Sequence, residues 1–379
     1  MKKNGTHTAC VHEGQIKDKQ FGGAVSPIYL ATSYPFLDVQ EKRYPRYFNT
    51  PNQEVIAEKL AALENAEAAL PFSSGMAAIS TSLFAFLERG DHVVFQNEIY
   101  GGSHHLVQEE FSKYGIEYSF TKGMEISDFK NEIRKNTKVI YLETPSNPLL
   151  NITDVRGVAT LAKEMGLVSM IDNTFASPIN QTPLDLGVDL VIHSATKYLG
   201  GHSDISAGAV AGKKELVERV MYKGRNFGGN LSDFMCFLLE RSMKTLALRI
   251  ERHNENAQFV AENLVQNSLV RKVYYPGLSS HKNHELAKRQ MHGFGGMLSF
   301  ELADDLDAKV FQHNLKMIKP SMSLAGIEST IIQPSLTSHA LLSQEERMKI
   351  GISDNLLRLS VGLENKEDIL EDLMQALIR

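Results

Sequence analysis

Residues 168–204 read VSMIDNTFASPINQTPLDLGVDLVIHSATKYLGGHSD. Two short apolar runs in it, Val168–Asp172 and Leu190–His193, each end on polar side chains. The first leads into Asn173 and Thr174, the second into Ser194, Thr196, Lys197 and a glycine pair. Apolar runs this short, bounded by turn residues, predict strands buried on both faces. A lysine directly after such a strand is either a solvated surface charge or an amine held for chemistry. Most lysines are the former, so the rest of the chain has to decide.

The same pattern recurs on the N-terminal side. Ala68–Phe72, His92–Gln96, Ile116–Phe120 and Val139–Glu143 are further short apolar runs. Between the runs lie segments with helical spacing near 76–88, 103–114, 126–135 and 153–165, and a helix after Asn52 is marked by NQEVIAEKLAALENAE. Strands alternating with helices at this interval predict right-handed βαβ units and an α/β fold with a mostly parallel, doubly wound sheet. The Gly- and Asn-rich stretch YKGRNFGGNLSD (222–233) breaks the rhythm, and a long helical segment to about residue 265 follows. The last third mixes strands (GGMLSFEL, LLRLSVGLE) with helices and is expected to be a smaller C-terminal α+β domain. Residues 1–50, with little periodicity, are expected to be an extended arm, so the linear division is 1–50, 51–233 and 234–379.

Composition narrows the function. The 379 residues are 42% hydrophobic and 22% charged, with a formal net charge of −5, which favours neither nucleic acid nor an anionic membrane as a partner. Cys10 and Cys236, the two cysteines, are far apart, arguing against a disulfide scaffold or a zinc site and for a reducing compartment. No metal is expected. No apolar run approaches the roughly 18 residues of a membrane span, and the polar N-terminus has no signal-peptide core. A soluble, cytoplasmic protein is expected.

In open parallel sheets, ligands bind beyond the carboxyl ends of the strands. Four strands here deliver polar groups to that rim: Ser73-Ser74-Gly75-Met76 after Ala68–Phe72, Thr144 to Pro148 after Val139–Glu143, Asp172 to Thr174, and Ser194 to Lys197. Taken alone, Ser-Ser-Gly before a helix is an ordinary cap, and Asp172 a satisfied structural carboxylate or a metal ligand. Together they match one ligand. Pyridoxal phosphate (PLP) has a phosphate that suits free N–H groups at a helix start, an aldehyde that condenses with lysine, and a ring nitrogen that works best protonated against a carboxylate. On this reading Lys197 forms the Schiff base and Asp172 holds the ring nitrogen. The cofactor-binding set is completed by Ser74, Gly75, Met76, Thr174, Ser194 and Thr196, while Tyr100, heading YGGS, stacks on the ring. Neither a P-loop nor a G-x-G-x-x-G stretch is present.

These motifs resemble the Cys/Met-metabolism family of fold-type I PLP-dependent enzymes, which includes cystathionine lyases, methionine γ-lyase, cystathionine γ-synthase and homoserine-ester sulfhydrylases. The resemblance runs through VHEG, PIYLATSYPF, YPRYFNTPN, SSGMAA, YGG, ETPSNP, IDNTF, HSATKYLGGHSD, SLAGIES and LLRLSVGLE. It implies a fold-type I, PLP-dependent transferase-like architecture. It also implies that Tyr44 and Arg46 reach the cofactor phosphate of a neighbouring subunit in a homotetramer built as a dimer of catalytic dimers. Asn147, Ser323 and Arg358 fall at positions that hold the substrate carboxylate, and Glu143 at a support position. His12, Asp204 and His339 sit in family-like motifs and read as scaffold. Two stretches depart from the family pattern: Asn49-Thr50-Pro51, and Gln333-Pro334-Ser335.

The chemistry implied is removal of an α-proton by Lys197, with Tyr100 assisting, and loss of a sulfur or oxygen substituent from Cβ or Cγ. Met322 stands where glutamate is often found, Gly102 where methionine γ-lyases often carry cysteine, and Ser103-His104-His105 where some relatives carry an arginine. A strongly anionic distal group is therefore not favoured. A carbon–sulfur lyase acting on cystathionine or a related thioether is expected, with γ-replacement on an activated homoserine as the alternative. A cofactor-binding protein without catalysis is a third class, against which the intact Lys197, Asp172, Tyr100 and Arg358 argue.

Overall fold

The computed structural model describes residues 4–338, 340 and 343–378. The chain forms two compact units, one of residues 1–143 with 153–247 and the other of 144–152 with 248–379.

In chain order the first unit carries α1 (Thr6–His12), α2 (Pro51–Glu64), β1 (Ala68–Phe72), α3 (Gly75–Phe86), β2 (His92–Phe95), α4 (Gly101–Tyr114), β3 (Glu117–Phe120) and α5 (Ile126–Glu132). It continues with β4 (Thr137–Glu143), α6 (Val155–Glu164), β5 (Val168–Asp172), α7 (Ser177–Asn180), β6 (Leu190–His193), β7 (Gly208–Gly212), α8 (Lys214–Phe227) and α9 (Asp233–Met243). Among the described residues these strands make a seven-stranded sheet in the order β1-β7-β6-β5-β4-β2-β3. β2 to β6 are mutually parallel, and β7 runs antiparallel to both neighbours. The doubly wound reading is thus borne out.

Both sheet faces are covered, which is why the strands read as continuous apolar runs rather than alternating ones. Tyr141 and Val139 of β4 pack into one core with Phe72, Leu83, Phe95 and Phe111. Ile140 and Leu142 of the same strand face the opposite core with Phe129, Val158, Ile171 and Val191. Local signals start the helices: Thr50 and Gln53 form a capping box on α2 with Pro51 in its first turn, and Asp154 caps α6.

Three details differ from the expectation. β7, GAVAG, was not anticipated, because small residues carry little β signal and their value here is close packing. An added Cβ on Gly208 would lie 2.1 Å from the Ser74 carbonyl oxygen. Helix α8 runs through YKGRNF to Phe227, and the long helical segment is broken after Met243 before resuming as α10 (Leu246–Leu264).

Residues 13–44 have no regular element, and single hydrogen bonds tie parts of the N-terminal segment to α2. Asn52 donates to the Pro27 carbonyl at 2.9 Å and accepts the Tyr29 N–H at 2.9 Å, while the buried Lys59 donates to the Cys10 carbonyl at 2.8 Å. The arm still exposes apolar side chains, with Phe21 at 83% and Leu30 at 70%. Among the described residues, no helix is long and apolar enough to cross a membrane.

The second unit holds a five-stranded sheet, ordered β10-β11-β12-β9-β8, from β8 (Val270–Tyr274), β9 (Met297–Leu302), β10 (Lys319–Pro320), β11 (Thr330–Ile332) and β12 (Leu356–Ser360). Its pairs are antiparallel apart from β10 with β11. Helices follow or precede these strands, an α+β arrangement.

Candidate active site

In the first unit, the carboxyl ends of β1, β5 and β6 carry the predicted polar residues and β4 ends on Glu143, whereas Thr144 to Pro148 belong to the second unit. Ser74 is the N-cap of α3: its Oγ accepts the Ala77 N–H at 3.0 Å and its carbonyl the Ala78 N–H at 3.1 Å. The first of these bonds occupies one of the N–H groups that a helix start leaves over, the second is the first bond of the helix itself, and the Gly75 and Met76 N–H groups are among those left over. Gly75 has no room for a side chain, since an added Cβ would sit 2.8 Å from Ser194 Cβ. The start of α3 is therefore pressed against the end of β6.

Beyond β6 the chain winds tightly. The Lys197 N–H donates to the Ser194 carbonyl at 3.1 Å, and the Gly201 N–H to the Lys197 carbonyl at 2.7 Å. The Thr196 hydroxyl donates to the Ala207 carbonyl at 3.1 Å and accepts the Ala207 N–H at 3.0 Å. Ser194, Thr196 and Lys197 are all half-buried.

Asp172, 6% exposed, closes β5. Burial raises its pKa, opposed by hydrogen bonds from the Thr174 hydroxyl and N–H and by the charge of His193. The Thr174 N–H reaches Oδ1 at 3.0 Å, and its Oγ1 also accepts the Ser194 N–H at 2.8 Å. Thr174 thus links the β5 and β6 ends and orients Asp172.

Glu143 ends β4 in register with Asp172. Its Oε2 accepts the main-chain N–H of Tyr100, the residue before α4. The Tyr100 side chain is 47% exposed. Its ring stands over Gly102, where an added Cβ would meet Tyr100 Cε1 at 2.5 Å and Met76 Sδ at 3.1 Å. Met76 of α3 and Tyr100, the N-cap of α4, thus flank one glycine.

Tyr44 and Arg46 lie elsewhere on the surface of this unit. The Arg46 guanidinium sits 5.5 Å from the Tyr44 ring centroid and donates to the Arg225 carbonyl at 2.5 Å. His104 stacks on Phe120 with centroids 4.6 Å apart, and burial lowers its pKa, whereas His105 is exposed. His12 and Asp204 are exposed, and His339 lies outside the described residues.

In the second unit, Arg358 lies in β12 and is 5% exposed. Its Nη1 donates to Asn147 Oδ1 at 2.8 Å and its Nη2 to the Ser323 carbonyl at 3.2 Å. Asn147 precedes a cis proline, and its loop is tied to β9 by Ser299 Oγ donating to the Pro148 carbonyl at 2.7 Å. Ser323 has φ of 78° and meets Arg358 through its main chain. Met322 is 72% exposed. A guanidinium fork oriented this way by neutral oxygens is suited to a bidentate carboxylate.

Sequence reasoning passed over two buried residues, Glu64 and His193, paired at 2.5 Å. The only available signal was a charged side chain among the apolar positions of each element.

PLP fits the groups of the first unit. The Gly75 backbone closes on Ser194 with spare helix N–H groups beside it, a buried carboxylate ends β5, and a half-buried lysine follows β6. The sequence profile described as "Cys/Met metabolism PLP-dependent enzyme" matches residues 7–378. The chain is 43% identical over 374 residues to a cystathionine beta-lyase of Lactococcus lactis subsp. cremoris, covering 98% of each. It is 42% identical over 380 residues to the cystathionine gamma-lyase of Bacillus subtilis, covering 100% of this chain and 99% of that one. The crystal structure of cystathionine gamma-lyase from Lactobacillus plantarum, complexed with L-serine, superposes with a TM-score of 0.94 at 39% identity, covering 98% of both chains. The chain belongs to the Cys/Met-metabolism family of PLP-dependent enzymes and has their fold-type I architecture.

Proposed function

We propose that the protein is a carbon–sulfur lyase that releases a thiol from cystathionine or a related thioether amino acid. The observation that carries this reading is the gathering of Lys197, Asp172, Ser194 and the α3 start at the carboxyl ends of one sheet. Relatives at 42–43% identity named for this chemistry support it. Bound PLP supplies an aldehyde that condenses with amines and a ring that draws electrons from the substrate α-carbon.

The chain's own groups do the rest. With PLP bound, Lys197 Nζ would hold it and would be the amine that takes the substrate α-proton and returns it. Asp172, oriented by Thr174, would accept from the ring nitrogen and favour its protonated form. Gly75, Met76, Ser74, Ser194 and Thr196 bind the phosphate. The Tyr100 hydroxyl accepts a proton from the incoming amine or donates one to the leaving sulfur. Arg358, with Asn147 and Ser323, binds the substrate carboxylate. Tyr44 and Arg46 reach the phosphate of a neighbouring subunit, so the arm 1–50 is an assembly element of a cytoplasmic homotetramer. The apolar side chains that the arm leaves exposed support that role.

The test is a product assay on the holoenzyme with L-cystathionine, run beside a homoserine ester plus L-cysteine. Cleavage of the Cβ–S bond, with water added, yields pyruvate, ammonia and homocysteine. Cleavage of the Cγ–S bond yields 2-oxobutyrate, ammonia and cysteine. Cystathionine formed from the ester, with little keto acid, would establish γ-replacement instead. A wild type that stays colourless with added PLP, or a Lys197→Ala variant that keeps the visible band, would overturn the cofactor assignment.

A further inference from the structure

The sheet of the second unit buries two serines beside Arg358. Ser299 of β9 is the register partner of Arg358 on β12, so the two side chains lie next to each other on one face. Ser360 comes two residues after Arg358 on β12 and shares that face. Ser299 is 0% and Ser360 2% exposed. Both strands are buried along their whole length, where a hydroxyl needs a partner. A serine in such a strand is ordinarily a satisfied core residue, and these two are set apart by what they hold.

The two hydroxyls hold the two loops that aim the Arg358 guanidinium. Ser299 Oγ donates to the Pro148 carbonyl at 2.7 Å, one residue beyond Asn147, whose Oδ1 accepts Arg358 Nη1 at 2.8 Å. Ser360 Oγ accepts the Ala325 N–H at 2.7 Å, two residues beyond Ser323, whose carbonyl accepts Arg358 Nη2 at 3.2 Å. Ser323 and Ala325 have φ of 78° and 64°, backbone that a residue with a side chain keeps only where its surroundings hold it. Each Nη of the fork is thus tied, through one loop, to one serine. Other contacts keep both loops in place: Leu149 packs against Ile352 and Leu356, and the Leu363 N–H donates to the Ile327 carbonyl at 2.8 Å. The hydroxyls therefore set the aim of the loops rather than their existence.

We propose that Ser299 and Ser360 are positioning residues for the Arg358 fork: they fix Asn147 and the Ser323 carbonyl, which hold the guanidinium in the orientation that takes a carboxylate by two parallel bonds. A fork set in advance loses little freedom when the ligand arrives. This role deepens, and rests on, the reading that Arg358 binds the substrate carboxylate.

The test compares the wild-type holoenzyme with Ser299→Ala, Ser360→Ala, Arg358→Lys and each alanine variant combined with Arg358→Lys. Thermal unfolding, kcat and KM for L-cystathionine are measured, and the dissociation constants of glycine and glycinamide are read from the visible band. Glycine carries the carboxylate with no side chain to eliminate, and glycinamide replaces that carboxylate by a neutral amide. Each alanine variant should fold, raise KM and the glycine constant by about three- to tenfold, the size of one hydrogen bond, and leave glycinamide binding unchanged. In the Arg358→Lys background, where the fork is already lost, neither should add a further loss. A folded variant with wild-type KM and glycine binding overturns the proposal. So does an equal loss for glycinamide, an undiminished loss in the Arg358→Lys background, or failure of both alanine variants to fold, each of which would make the serines structural. Arg358→Lys alone separates the two readings. If it leaves KM and glycine binding unaltered, the assignment of Arg358 itself fails. If it weakens both while the alanine variants do not, only the role of the serines fails.

Discussion

Glu143 Oε2 accepts the Tyr100 main-chain N–H at 2.6 Å, so the carboxylate that closes β4 sets where α4 begins. Gln96 Nε2 braces it by donating to the Glu143 carbonyl at 2.7 Å. A charge-assisted bond to a buried acceptor contributes about 1.5–3 kcal/mol. Glu143→Ala should lower the melting temperature and, by releasing Tyr100, cut kcat by about tenfold or more. Tyr100→Phe measured beside it shows whether the effect runs through that side chain. Unchanged kcat in Glu143→Ala would mean that Tyr100 is held by other contacts.

Gly75→Ala tests the proposed phosphate cradle. The new Cβ would press on the Ser194 Cβ and Cα at 2.8 and 3.0 Å, and overpacking of this kind costs about 1–3 kcal/mol. Apoenzyme titrated with PLP should bind at least about tenfold more weakly. Wild-type affinity would place the phosphate elsewhere.

Arg358→Lys keeps the charge but removes the fork that Asn147 and the Ser323 carbonyl orient. The expected loss is on the order of 2 kcal/mol, about thirtyfold, read mainly in KM for the amino-acid substrate. The visible spectrum of the holoenzyme should be unaltered. An unchanged KM would remove Arg358 from the carboxylate site.

The fold itself should weaken in mild acid. His253 is buried in the second unit, its Nδ1 bonded to the Val361 carbonyl at 2.7 Å, and burial lowers its pKa from 6.5 to about 4. The unfolded chain takes up a proton near 6.5 while the folded one resists until about 4. The stabilisation from a neutral His253 is therefore complete above that range and is lost as pH falls through it, on the order of 3 kcal/mol in all. Urea unfolding of the wild type at neutral and mildly acidic pH should show the loss. His253→Gln should be less stable at neutral pH but flatter between the two, and an equally steep variant would assign the acid sensitivity to other groups.

How far the sequence carries can be followed residue by residue. Strands buried on both faces must be apolar throughout, so Val168–Asp172 and Leu190–His193 announced themselves. A polar residue ending such a run has to lie at the sheet rim, which is how the sequence alone places Asp172 and Lys197 on one edge. Helix starts were equally legible, because Ser74 and Thr50 satisfy N–H groups within three residues of themselves. What stayed hidden depends on partners distant in the chain. Glu64 reads as one more charge on an amphipathic helix until the packing of α2 shuts it from water against His193, 129 positions away. Strand β7, GAVAG, is too short and too rich in Gly and Ala to carry a pattern of its own, and is a strand because it pairs along its length with both β1 and β6. Asn147 looks like part of a turn after β4 until Arg358, 211 positions later, takes its amide oxygen. Local hydrophobicity and capping determined the elements and their order. Desolvation, which assigns a charged or polar side chain its worth, was decided only when the tertiary structure chose what surrounds it.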